Sequence, residues 1–307
     1  MTLHLLGHVD LPAHTGEGGF DHAAVHEATG HVYVAHTANG TVDVLDGQKH
    51  LFSIPDLPGV AGALVSDEAQ LVFTSNRAEN TVGIFPPGRD PPVTKIEVGV
   101  RPNGLAYDHR RRLLLVANVG EPAIAGSHTI TMVDVASRAV RAEIAVPGRT
   151  RWAISDASRG LFYVNIMDPA VIAVIDAHRP DALAYMYGVP AAGPHGLDFD
   201  PATRRLFCAC DEGRLIALDA ATGRILGDAP LSGVPDVVFL HRPRQRLFVA
   251  VGDPGVIDLF DTATMKGLGR VETEKGAHTT ALSASRDLLY AFLPQTHRAA
   301  VYRVEEA

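Results

Sequence analysis

Residues 193–226 read GPHGLDFDPATRRLFCACDEGRLIALDAATGRIL. Gly193-Pro194 is followed by alternating apolar and polar residues, a polar turn, the apolar run LFCAC, another turn, and the run LIALD. Alternation of period two, interrupted at short intervals by Gly, Pro, Asn and Asp, reads as antiparallel strands joined by tight turns. His195 stands where the first of these strands begins. Whether it serves the turn or faces a site depends on whether the position recurs.

It does recur. The run LFCAC has counterparts in HVYVAH from His31, LVFTSN from Leu71, LLLVAN from Leu113, LFYVNI from Leu161, LFVAV from Leu247 and LLYAF from Leu288. A third run follows each: TVDVLD, TVGIF, TITMVD, VIAVID, RLIALD, VIDLFD and AAVYRV. The seven copies repeat at roughly 40 to 47 residues, the period of four-stranded propeller blades. The last copy stops after its third run, and the N-terminal LHLLGHVDLP resembles the fourth strands KHLFSIPDLP and AVRAEIAVPG. The N-terminal strand is therefore expected to complete the last blade and cover its open edge. The expectation is an all-β, seven-bladed β-propeller with four-stranded antiparallel blades, one domain over residues 1–307, and no helix of ordinary length.

The phrases RAENTVGIF, RPNGLAYDHRRRLLLVAN and GPHGLDFDPATRRLF resemble the YVTN or YncE-like repeat, whose blades read roughly P-x-G-L-A, then L-Y-V-A-N, then N-T-V-S-V-I-D. The resemblance runs along essentially the whole chain. It implies a seven-bladed propeller and no single activity, because members of the family do unrelated things. Where the family often places Asn after the second strand, this chain has Asn76, Asn118 and Asn165, but also His36 and Cys210.

Composition narrows the function classes. The 307 residues are 46% hydrophobic and 20% charged with net charge -8, enough apolar content for a core. A general phosphate-backbone binder needs clustered excess Lys and Arg, so nucleic acid is not an expected partner. No apolar run approaches the roughly 20 residues that cross a bilayer, and no membrane partner is expected. The opening MTLHLLGHVDLPAH has no basic region followed by an apolar one, which favours a cytoplasmic location, or a periplasmic one if a leader has been removed. The only cysteines, Cys208 and Cys210, share one face of a strand and are expected to be free thiols.

The 15 histidines are the unusual count. Aligning the copies places His22 (or Asp21 beside it), Gly62, Asn103, Thr150 with Arg151, His195, Asp236 and His278 at the entry of the innermost strand, which faces the channel mouth. Imidazoles and a carboxylate on rigid strand ends can ligate a divalent transition metal such as Zn, Cu, Fe, Ni or Mn. His22, His195, His278 and Asp236 are thus candidate ligands, and Arg151, Asp21 and His36 candidate catalytic groups, His36 as a ligand or proton carrier. Arg149, Trp152, Asn103 and Cys210 are candidates for contacting a substrate, the arginines through their bidentate fork.

Three readings remain open. One is a metal-dependent hydrolase, lyase or oxidative enzyme acting on a small molecule at the mouth. Another is a metal-free histidine and arginine site of the kind found in propeller lactonases. The last is a non-catalytic YVTN-type scaffold for a protein partner, in which each histidine caps its own turn, as an aligned Asn would. HEATGH (residues 26–31) lacks the zincin spacing and belongs to a hairpin, GEGGF is not a phosphate loop, and the basic runs at 108–112 and 241–246 read as solvated hairpin charge.

Overall fold

Each repeat folds as a meander, because its apolar runs are too short for anything but strands and its turn residues force the chain back. The computed structural model describes residues 2–14, 16 and 18–305. In the first blade the strands Phe20–His26, His31–His36, Thr41–Leu45 and His50–Ile54 pair in that order, each antiparallel to the next. Gly30 makes the first turn at φ 78°, donating its N–H to the His26 carbonyl at 2.8 Å. This left-handed conformation suits glycine.

Six further four-stranded sheets repeat the pattern. Their innermost strands, Val60–Ser66, Pro102–Asp108, Thr150–Asp156, Pro194–Asp200, Val234–His241 and Thr279–Ser283, touch one another in chain order, and the last touches Phe20–His26. The seven blades therefore form a closed ring. In the seventh, Thr2–Asp10 pairs antiparallel with Arg298–Glu305 as the outermost strand, the closure expected from the N-terminal sequence. The Leu11 N–H extends it, donating to the His297 carbonyl at 2.8 Å.

The core lies between blades. Leu113, Leu115 and Met132 of the third blade pack on Phe162, Val164 and Ile175 of the fourth, and an equivalent apolar cluster fills every other junction, including Val9, Tyr290 and Val301 against Phe20, Val32 and Leu45 at the closure. Each such fully buried side chain contributes about 1.5–3 kcal/mol. Cys208 and Cys210 belong to one of these clusters as free, buried thiols with sulfurs 3.8 Å apart, too far for a disulfide. Helix among the described residues is limited to two three-residue 3-10 turns, and none is long and apolar enough to cross a membrane.

One irregularity shapes the site. Near its start, the inner strand of each of the first six blades slips register against the second strand, as between Phe20 and Ala23 or Pro194 and Leu197. A bulge re-aims side chains, so neighbouring residues such as Asp21 and His22 both serve the mouth. Gly62, Gly104 and Gly196 sit inside these slips, where a Cβ would collide with the backbone oxygens of Asn103, Arg151 and Asp236 in the following blade. The glycine of the repeated P-x-G phrase is there so that adjacent inner strands can approach each other closely.

Candidate active site

Strand registers place Asp21, Ala61, Asn103, Arg151, His195, Asp236 and His278 at one equivalent position around the ring. Of the pair Asp21 and His22, Asp21 is the equivalent of His195. His22 lies one step further down the strand, as do Gly62 and Trp152. Sevenfold geometry converts sequence-distant positions into neighbours, and the polar side chains among them form two adjoining groups, a small one about Asp21 and Arg77 and a larger network.

His195 is its centre. Its Nδ1 lies 2.7 Å from Asp211 Oδ1, and its Nε2 lies 3.3 Å from Asp236 Oδ1 and 3.2 Å from Arg151 Nη1. Burial alone would discharge the ring, but Asp236 and the hydrogen bond to Asp211 outweigh both burial and Arg151, so its pKa is raised to about 9. His195 is thus an imidazolium at neutral pH, with both nitrogens donating. Burial likewise opposes the charge of Asp236, yet the His195 cation, helped by His278 and His22, holds this carboxyl well below the usual range. Opposite charges held close in a partly desolvated site fix each other's ionisation.

The other predicted residues divide between this network and its surroundings. His278 Nε2 faces Asp236 Oδ2 at 3.9 Å, while its Nδ1–H donates to the Gly276 carbonyl at 2.8 Å. His22 is buried, 3.4 Å from Asp21 Oδ1, with its ring 4.2 Å from that of Trp152. Burial, with Arg77 and His195, outweighs Asp21 and Asp236 and lowers its pKa. Asn103 accepts from Arg77 Nη2 at 2.6 Å. Arg151 also pairs with Asp211 at 3.5 Å.

Arg149 is exposed, and its pKa is lowered by partial burial of its head and by Arg151, Arg77 and Arg101. It makes no ion pair with any described residue. The Nε atoms of Arg77 and Arg151 are buried and find no acceptor among the described residues. On a chain of net charge -8, four guanidinium groups crowd this one rim.

His36 and Cys210 are not brought into the network. Both are fully buried at the end of a second strand, His36 against Asp43 and Cys210 in an interblade cluster, because that strand's last side chain turns into the blade junction. The residue after it is the one that reaches the mouth: Arg77, which pairs with Asp21 at 3.2 Å, and Asp211. Sequence reading passed over both, although comparing the position after each second strand would have exposed them. Among the described residues, no group of three or more His, Cys, Asp or Glu side chains stands ready around a common cation position.

Beyond His22 and Trp152 lies a cavity of about 280 Å³, lined by apolar residues such as Leu105 and Phe239 and also by Glu68, His109 and Arg242. Asp198 also lines it. Burial pushes that carboxyl up to about 6, against the backbone N–H groups of Phe199 and Leu240 that donate to it at 2.7 Å. None of Arg149, Arg151, His195, Asp236 or His278 lines this cavity.

No family profile and no curated relative matches the chain. Among solved structures, it superposes on a chain of the "Crystal Structure of Mitotic Checkpoint Complex" with TM-score 0.82 at 12% identity, covering 99% of this chain and 93% of that one. It also superposes on a chain of "Kuenenia stuttgartiensis Hydrazine Synthase" with TM-score 0.83 at 13% identity, covering 95% and 97%. At this identity the likeness extends to the seven-bladed propeller fold and no further.

Proposed function

We propose that the channel mouth binds a small anionic molecule, a carboxylate or phosphate ester, and catalyses proton transfer on it, as a hydrolase or lyase. The observation that carries this reading is His195, an imidazolium clamped between Asp211 and Asp236 beside Arg151. Arg149, without an ion-pair partner among the described residues, supplies a free bidentate fork for the anion. His195 acts as general acid on a developing oxyanion, and His278, across Asp236 from it, as the matching base. Trp152 and His22 floor the site and keep the apolar part of the ligand from water. The likeness of the blades to YVTN or YncE-like repeats supports the architecture of this reading and contributes no activity to it.

A divalent transition metal at the mouth is a second reading, favoured by Asp236 lying between the Nε2 atoms of His195 and His278 while Asp211 orients His195, as a carboxylate does behind a metal ligand. Against it stands the Arg151 guanidinium, a cation 3.2 Å from the nitrogen that would ligate. One experiment separates the two: turnover of a panel of small lactones, esters and hydroxy acids, with and without EDTA. Acid–base chemistry predicts turnover that survives EDTA and is lost in His195→Asn. Activity abolished by EDTA and restored by Zn²⁺, Mn²⁺ or Ni²⁺ would transfer the case to the metal.

A further inference from the structure

One level of the channel departs from the repeat. Strand registers set Asp198 of the fifth blade level with Ala24, Leu64, Ala106, Ile154, Phe239 and Ala281 of the other six. Six blades carry an apolar residue at this position, and one carries a carboxyl. All of them except Ala281 line the cavity beyond His22 and Trp152.

This carboxyl is left short of a counter-charge. Its oxygens accept the backbone N–H groups of Phe199 and Leu240, each at 2.7 Å, and each oxygen keeps a further lone pair. Asp198 forms no ion pair with any described residue. Arg242, whose charge reaches it, instead donates to the Phe199 carbonyl at 3.4 Å. A desolvated charge without a partner is unfavourable. A cation brought into the cavity relieves it.

The walls describe the rest of such a cation. Trp152 and Phe239 meet edge to face with ring centroids 6.3 Å apart, a corner that takes an aryl ring and draws positive charge to its π faces. The volume, about 280 Å³, is not quite twice the roughly 150 Å³ that admits benzene, which leaves room for a short ammonium arm. At the end away from the mouth the lining includes Glu68 and Arg242, both exposed, so the cavity reaches solvent beside the hairpins that follow the inner strands. Their opposite charges offset each other there, and Asp198 is the acid within.

We propose that this cavity binds a small primary arylalkyl amine as its cation, the ammonium on Asp198 and the aryl body in the corner of Trp152 and Phe239. The ligand enters from the face opposite the mouth. His22 and Trp152 stand between it and the rim, so the channel holds two sites of opposite preference, an anion at one end and a cation at the other. The amine site is independent of the reaction at the mouth.

The test is calorimetric titration of the full chain at about pH 8 with 2-phenylethylamine, 2-phenylethanol and 3-phenylpropionate, which share a ring and differ in charge. The amine should bind with one-to-one stoichiometry at a millimolar dissociation constant or tighter, and the alcohol and the acid at least about tenfold more weakly. Asp198→Ala installs the residue that the first, third and seventh blades carry, and should bind amine and alcohol alike. Ala24→Leu, the residue of the second blade, fills the cavity without touching Asp198; it should lose the amine and keep anion binding at the rim. Asp211→Asn, at the rim, should keep the amine. Absence of saturable amine binding, equal binding of amine and alcohol by the parent, or amine binding that survives Ala24→Leu overturns the proposal. So does amine binding lost in Asp211→Asn, which would place the cation at the rim.

Discussion

Replacing His195 by Asn removes a buried cation from between two carboxylates, and the cost depends on pH in a way that no packing defect imitates. The folded pKa is about 9 against about 6.5 for an unperturbed histidine. The difference corresponds to about 3 kcal/mol of stabilisation at roughly 1.4 kcal/mol per unit. Because the folded value is raised, this stabilisation is complete below pH 6.5 and is lost as the pH rises through 9. The side chain is only 15% exposed, so solvent screening removes little of it. Urea unfolding of the parent and His195→Asn at pH 6 and pH 10 is the assay. The parent should lose about 3 kcal/mol more than the variant over that interval. Parallel pH profiles would show that His195 is neutral in the folded state, and the argument for a cationic acid would fail.

Further expectations concern the neighbours of His195. Asp211→Asn should lower the pH at which this stabilisation is lost, because the carboxylate holding Nδ1 is gone; the same urea series at intermediate pH checks it. Gly196→Ala should destabilise by about 1–3 kcal/mol, since its Cβ would collide with the Asp236 backbone oxygen and force two inner strands apart. Chemical denaturation measures the loss. Arg149→Ala should change stability by less than about 0.5 kcal/mol while weakening anion binding at least about tenfold, a split visible by comparing unfolding with isothermal titration.

The architecture could be read from the sequence because its evidence was repeated. Seven copies of one phrase could be compared with themselves, and a missing fourth strand at one end matched a surplus one at the other. The ring of mouth positions was legible for the same reason: Pro194-His195-Gly196 aligns with Pro102-Asn103-Gly104. Repetition stops short of side-chain direction. The bulge that turns Asp21 and His22 to the same mouth is a backbone event without a residue of its own, so the choice between them stayed open. His36 shares the position of Asn76, and each turns to the third strand of its own blade, Asn76 to Thr81 and His36 to Asp43, so residue type alone did not show that the position is closed off from the mouth. Arg77 and Asp211 occupy equivalent positions with opposite charge, and a pattern built on residue likeness passes over that pairing.

Anion binding at the mouth can be measured directly, because the chain carries its own reporter there. Trp152 is the only tryptophan, its ring 4.2 Å from that of His22. Titration with small dicarboxylates and phosphate monoesters should give a saturable change in its fluorescence, weaker in Arg149→Ala and weaker above pH 9, where His195 loses its proton. A signal that does not saturate at millimolar ligand, or one indifferent to both Arg149 and pH, would contradict the assignment of this rim as an anion site.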